Sequence, residues 1–420
     1  MIFIPGGAFV VGNGSSDFYN GSKLANHDVV VATINYRVGL FGFMELGSID
    51  KNYTGSGNNG LRDQLAAIKW IKRNAASFGG DPDNITIFGE SAGAASISAL
   101  LSINQPSLLF KRAVAQSGTT NLIHTKKFAF EAGKLIAEAG GFKSVAELIE
   151  ASPAKLLQTQ EKAFVEAEIG DLLFAPYIDD NIIIGEPNKL LENGNAKTID
   201  LMAGATQNEL NYWSLYDSKY RNMFVEDTDF GPASPPISLK RRTDIERQLG
   251  VGLDKYYAAA LKTGDKNLIR QAQNDDSSMI QPMRRMVERQ AGQNPNVYLY
   301  RFQWKVPTEY LPTGVPDLGA VHALELPFLF GTLDLSWIPG GDKIEAEKRP
   351  VDAQLSEQIM LAWTNFARTG NPNGPGVPLW PRYDTTKRET MVWSEDSKAI
   401  EDLEAERRLP WDKAAFDSVL

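Results

Sequence analysis

The feature that most constrains this chain is a serine set between glycines at a junction from strand to helix. Residues 84–89 (NITIFG) form a short apolar, β-branched run, and residues 94–101 carry a helical pattern. Between them stands Gly89-Glu90-Ser91-Ala92-Gly93, a G-x-S-x-G sequence. A serine on so sharp a turn has its hydroxyl raised above the sheet, and small residues two positions away on either side let strand and helix approach. The plainer role for such a serine is to cap the following helix. A strand directly before and a helix directly after favour the strained turn instead. Ser117, in the next turn, is better explained as a cap.

The surrounding pattern fits one class of fold. Residues 1–4 (MIFI) read as a core strand, too short for a signal peptide and without a basic leader. Residues 28–36 (DVVVATINY) resemble a strand covered on both faces. Residues 61–76 repeat leucine and isoleucine at helical spacing ahead of Gly79-Gly80, and residues 112–116 return as a strand. This alternation predicts an α/β fold with a mostly parallel sheet and helices on both faces. Further strands are expected at 198–205, 296–302 and 391–393, with a long helix at 353–369 ended by Gly370. Helical insertions are expected at roughly 125–190 and 211–294, the second broken by residues 231–236 (GPASPP), within one domain spanning 1–420. Ser144 and Glu147 have the spacing of a capping box, and Pro153 suits a first helical turn.

Composition narrows function mainly by exclusion. Across 420 residues, 43% hydrophobic and 23% charged content is globular, not disordered. A net charge of −9 argues against nucleic acid, which needs a clustered positive face. The one basic run, Lys240-Arg241-Arg242, is followed by Asp244 and Glu246 and reads as a solvated helix start. No cysteine is present, which removes disulfides, a thiol nucleophile and thiolate metal ligands. It also leans toward a reducing, cytoplasmic setting, although large secreted enzymes need no staple. No run approaches the ~18 apolar residues of a membrane span. Three scattered histidines make no metal cluster, and no nucleotide-binding fingerprint occurs.

A serine hydroxyl is a poor nucleophile until a base accepts its proton. Only three histidines are available. His27 precedes the 28–36 run and reads as a turn residue, and His124 sits in a polar stretch before Lys126-Lys127. His322, in residues 319–325 (GAVHALE), comes late in the chain, as the order nucleophile, acid, base requires. The acid belongs between them, after a core strand. Glu209 meets that condition, while Asp179 and Asp180, in a turn before residues 182–184, are rivals. Backbone N–H groups of the Gly6-Gly7-Ala8 turn and of Ala92 could stabilise an oxyanion.

These residues and others resemble the type-B carboxylesterases, the family that includes the cholinesterases. The resemblance extends to Asn35-Tyr36-Arg37, to residues 39–43 (GLFGF), 57–64 (GNNGLRDQ) and 78–82 (FGGDP), and to Trp363, Phe366, residues 370–373 (GNPN) and Trp380-Pro381. It implies an α/β-hydrolase fold, a triad on Ser91, Glu209 and His322, and oxyanion donors on Gly7, Ala8 and Ala92. It further implies hydrolysis of carboxylic esters through an acyl-enzyme, without a cofactor. The sequence departs from the family in three places. Pro5 stands where bacterial members usually carry histidine, Leu210 stands where glycine is common, and strands usually found ahead of the glycine pair are missing. Without them residues 28–36 would form an open sheet edge, either paired with a second copy in a homo-oligomer or covered by a loop from the chain's own insertions.

Two classes of function therefore remain, an ester hydrolase and an adhesion or scaffold protein whose triad is lost. Occupied triad positions favour the first. An apolar lining from Phe9, Phe174, Trp213, Leu326 and Phe330 would suit an uncharged acyl or alkyl group. Amidase or lactonase chemistry would use the same residues.

Overall fold

The computed structural model describes residues 1–167, 173–211 and 239–412. Among the described residues, eight strands form one sheet in the order β2-β1-β3-β4-β5-β6-β7-β8. They are β1 (Ile2–Ile4), β2 (Ala32–Thr33), β3 (Thr86–Glu90), β4 (Arg112–Gln116), β5 (Asp200–Thr206), β6 (Val297–Phe302), β7 (Thr390–Trp393) and β8 (Lys398–Ile400). Neighbours are parallel except β7 and β8, which are antiparallel. This is the α/β-hydrolase arrangement expected from the alternating strands and helices.

Strand periodicity explains why both faces are apolar. Side chains alternate across a sheet, so Ile2 and Ile4 point one way and Phe3 the other. Phe3, Phe88, Val114, Met202 and Tyr298 share one core, which takes in Trp363 and Phe366 of the helix Pro350–Thr369. Ile2, Ile4, Ile87, Ala113 and Leu201 share a second core with Ile68, Ile97 and Met286. These three come from the helices Asn59–Asn74, Ala92–Leu101 and Gln281–Ala291. Each such large side chain, fully buried, is worth about 1.5–3 kcal/mol. Gly370 closes its helix at φ 80°, as the sequence predicts.

The strand order also locates a crevice. From β1 the chain crosses to β2 on one side and then to β3 on the other, so the connections after β1 and β3 diverge. Ligands in open α/β sheets bind at the carboxyl ends of strands where the order reverses in this way. Gly6 follows β1 and Ser91 follows β3, so both lie at that point.

Helices occupy the two expected insertions. Lys126–Gly140, Val145–Glu150, Pro153–Ala167 and Pro187–Glu192 fall in the first. Leu239–Leu249, Leu253–Leu261, Lys266–Asp275 and Gln281–Ala291 fall in the second. The Ser144 hydroxyl accepts the Glu147 N–H at 3.2 Å, and Glu147 accepts the Lys143 N–H at 2.8 Å, close to a capping box. The GPASPP run and Trp213 lie outside the described residues. Among the described residues no helix is long and apolar enough to cross a membrane.

Two expectations need correction. The 28–36 run is not a strand covered on both faces: only Ala32 and Thr33 pair with β1, and Val30 is 39% exposed. With three residues in β1, the ladder has little to extend along. Among the described residues, the segment is nevertheless at the edge of the sheet. Ser117 caps no helix. It ends β4 at φ 51° and gives its N–H to Gly204 O, and the next helical turn, Thr120–Leu122, starts beyond Thr119.

Candidate active site

Ser91 occupies φ 57°, ψ −124°, between β3 and the helix Ala92–Leu101. A non-glycine residue in such a region costs roughly 1–3 kcal/mol and persists only where its surroundings impose it. Here the Ser91 N–H donates to Gln116 O at 2.8 Å, and the Ala95 N–H donates to Ser91 O at 2.9 Å. The flanking glycines admit the close approach. A Cβ on Gly93 would lie 2.0 Å from Ile4 O, and one on Gly89 would lie 2.7 Å from it. Ser91 remains partly exposed while the helix that follows is buried.

The turn after β1 packs against this elbow. A Cβ on Gly6 would meet Glu90 O at 2.7 Å and Ser91 Cβ at 3.0 Å. Gly7, Ala8 and Phe9 all have positive φ, at 113°, 53° and 60°. The N–H groups of Val10 and Val11 close the turn onto Gly7 O, and the Gly39 N–H donates to Phe9 O. Among the described residues, neither the Gly7 nor the Ala8 N–H is taken up by a protein acceptor. Ala92, the third expected donor, opens the helix after Ser91. Pro5 has no side-chain donor, but its carbonyl accepts the Tyr36 hydroxyl at 2.7 Å, which anchors the start of the turn.

Two long-range loops supply the other candidates. Glu209, completely buried after β5, accepts the Thr206 N–H through Oε1 at 2.7 Å. Its Oε2 lies 2.5 Å from His322 Nδ1, although the residues are 113 apart in sequence. Asn208 fastens the two loops, donating its N–H to Ala320 O at 2.9 Å and accepting the Ala320 N–H at 3.2 Å through Oδ1. Gly319, at φ 69°, permits this, since a Cβ there would sit 2.0 Å from Asn208 Oδ1. Asn211 adds a bond to Leu318 O at 2.9 Å.

The rival acids are engaged elsewhere. Asp179 accepts N–H groups from Asn181, Ile182 and Ile183 in its own turn, and the Asp180 side chain is 70% exposed near Lys126. His27 lies near Glu357. His124 is buried and packs edge-on against Phe128.

Two carboxyl groups were missed in the sequence. Glu90, beside Ser91 and 4% exposed, places Oε1 3.0 Å from His322 Nε2. Glu325, 1% exposed, accepts from Gln116 Nε2 and the Tyr300 hydroxyl, both at 3.3 Å. A carboxyl beside the serine and another one helical turn after the histidine were visible signals. Burial alone would lower the His322 pKa, but Glu90 and then Glu209 override it and raise it well above the usual imidazole value. Burial first, then Glu90 and Glu209, push the Glu325 carboxyl up to about 8.

The expected apolar lining divides. Phe9 and Phe174 share a buried cluster with Ala92, on the elbow's side. Leu326 and Phe330 instead join the core with Phe3 and Phe88, because the short helix Leu326–Leu329 turns inward; Phe330 lies 5.0 Å from Phe3.

A serine elbow at the switch point of a mostly parallel sheet, with a histidine–carboxyl pair on loops after later strands, defines an α/β-hydrolase. The sequence profile of the Carboxylesterase family matches residues 1–410, and the chain belongs to that family of hydrolases. It is 35% identical over 414 residues to the para-nitrobenzyl esterase of Bacillus subtilis (strain 168), covering 97% of this chain and 78% of that one. It is 30% identical to a cholinesterase of Mus musculus, covering 100% of this chain and 70% of the relative. A crystal structure of a Geobacillus stearothermophilus carboxylesterase superposes with a TM-score of 0.80 at 33% identity, covering 98% of this chain and 82% of that one.

Proposed function

We propose that this chain is a serine carboxylesterase acting on uncharged carboxylic esters, with Ser91 as nucleophile, His322 as base and Glu209 as acid. The observation that carries the proposal is the His322 Nδ1–Glu209 Oε2 contact of 2.5 Å, on an imidazole whose Nε2 lies against the residue preceding Ser91. Glu209 holds the proton on Nδ1, and Nε2, which faces Glu90 Oε1 at 3.0 Å, takes the serine proton once it has lost its own.

The reaction then runs in two halves. Ser91 Oγ bonds to the ester carbonyl carbon as its proton passes to His322 Nε2. The carbonyl oxygen, now an oxyanion, takes hydrogen bonds from the Gly7, Ala8 and Ala92 N–H groups. The C–O bond to the alcohol breaks, and the alcohol leaves with the proton from Nε2. Water repeats the sequence on the acyl-enzyme, releasing the acid and restoring Ser91. Turns fixed at positive φ present backbone donors without reorganisation during the reaction.

A scaffold role on the same fold is disfavoured because all three expected triad positions keep their residue types, Ser91, Glu209 and His322. The apolar cluster of Phe9, Phe174 and Ala92 beside the elbow supports an uncharged acyl or alkyl group. The test is hydrolysis of nitrophenyl esters of increasing chain length, with nitroanilides alongside. Saturable ester turnover exceeding anilide turnover is expected, and no turnover of any ester would overturn the proposal.

A further inference from the structure

The helix that begins at Lys266 does not run regularly. Lys266–Asp275 is α-helical, Asp276–Ile280 forms a π-turn, and Gln281–Ala291 is α-helical again. Pro282 supplies a reason. It has no N–H for the carbonyl four residues earlier, and its ring would clash with that carbonyl. The carbonyl in question, Ser278 O, instead accepts from Asn121 Nδ2 at 2.8 Å.

Turns of this kind occur often at functional sites. Two successive buried acids mark where this one begins, Asp275 at 1% exposure and Asp276 at 0%. Asp276 is occupied by Arg407 Nε at 2.9 Å, the Tyr257 hydroxyl at 2.7 Å and Gln281 Nε2 at 3.0 Å. Asp275 makes a different contact: its Oδ1 accepts the Leu210 N–H at 2.9 Å. Leu210 directly follows Glu209.

We propose that Asp275 is a positioning residue for the Glu209–His322 pair, fixing the backbone from which Glu209 reaches the imidazole. This rests on the esterase reading given above. Asn208 ties one flank of Glu209 to the histidine loop, and Asp275 ties the other flank to the helix at its π-turn. Burial raises the Asp275 pKa well above the usual carboxyl range. Glu209 and Asp276 add to the rise, while Leu210 and Arg407 oppose it. A protonated carboxyl still offers an oxygen to an N–H, so asparagine can replace it and alanine cannot.

Small displacements of catalytic groups can lower rates by up to about 100-fold. Asp275→Ala should therefore lower kcat by about tenfold or more, with KM within about threefold of the parent. Rates are expressed per active serine, titrated with a phosphonate. The acid limb of its pH profile should move to lower pH, because a displaced Glu209 raises the imidazole pKa less. Asp275→Asn should restore both kcat and the limb. If Asp275→Ala does not fold, Asp275→Ser, too short to keep the contact, replaces it with the same expectation. An alanine or serine variant with parental kcat and an unmoved limb would overturn the proposal even if its Tm fell. So would an asparagine variant as impaired as the alanine one. Ser91→Ala, run beside them, separates the two ideas: if it stays active, the esterase mechanism itself fails.

Discussion

Glu90 Oε1 lies 3.0 Å from His322 Nε2, so the residue preceding Ser91 rests against the same imidazole whose Nδ1 meets Glu209. One buried ring is thus held between two buried carboxyl groups. Their combined effect outweighs burial and favours the protonated imidazole.

The first prediction concerns pH. The proposed base works only when neutral, and its folded pKa is raised, so kcat/KM should rise with pH along a limb centred above the usual imidazole value of about 6.5. Glu90→Gln removes the larger of the two raising charges and should move that limb to lower pH. A profile of kcat/KM from pH 5 to 9 for both proteins checks this. A limb that stays in place in the variant would mean that Glu90 does not govern the base.

The second concerns stability. Glu325 has a folded pKa of about 8 against an ordinary 4.5, so the folded state keeps a proton that the unfolded state releases between those values. Its contribution is fully present below pH 4.5 and is lost as pH rises through about 8. The loss approaches about 1.4 kcal/mol per pH unit at most. Glu325→Gln cannot ionise, so its Tm should improve relative to the parent between pH 5 and pH 8. A constant difference in Tm across that range would show that Glu325 does not titrate there.

The third assigns the acid. Glu209→Gln weakens support for the imidazolium and should lower kcat on the order of 100-fold or more. Asp180→Asn should leave kcat at the parental level, because that side chain is exposed near Lys126. Steady-state kinetics on one ester decides. A larger defect at Asp180 would move the acid role away from Glu209.

What the sequence made legible was mostly local. The Ser91 elbow needs only a strand, small flanking residues and a helix, all within residues 84–101, and its φ of 57° follows from that arrangement. Glu209 was harder, since its pairing with His322 depends on how two distant loops meet, and Asp179 and Asp180 fitted the chain order equally well. Glu90 and Glu325 stand close to Ser91 and His322 in the sequence, but which carboxyl groups face the imidazole is a tertiary property. The 28–36 run misled because Val29, Val30 and Val31 look like core residues. At a sheet edge beside a three-residue strand, they gain neither a long ladder nor full cover. β8 was missed altogether: Lys398, Ala399 and Ile400 are few, and an antiparallel edge strand carries little apolar signal.

The fourth prediction tests the elbow's packing. Gly93→Ala would put a Cβ 2.0 Å from Ile4 O, a rigid backbone atom. Relief requires β1 or the elbow to move, at a cost of about 1–3 kcal/mol or more. A Tm several degrees lower and a kcat reduced about tenfold or more are expected together, since the elbow is displaced along with the strand. Gly264→Ala, where nothing lies within 4 Å, serves as the control. Parental Tm and kcat in Gly93→Ala would show that the site tolerates a Cβ.

The most direct measurement is covalent. A fluorophosphonate requires an activated serine, so the folded protein is treated with one, its intact mass recorded and the modified peptide sequenced. One adduct per chain is expected, located on Ser91, with ester hydrolysis falling in proportion to labelling. In Ser91→Ala no adduct forms and ester hydrolysis drops by about 10³-fold or more, while the fold is kept. A phosphonate found on another serine, or a Ser91→Ala protein retaining a tenth of the parental rate, would contradict Ser91 as the nucleophile.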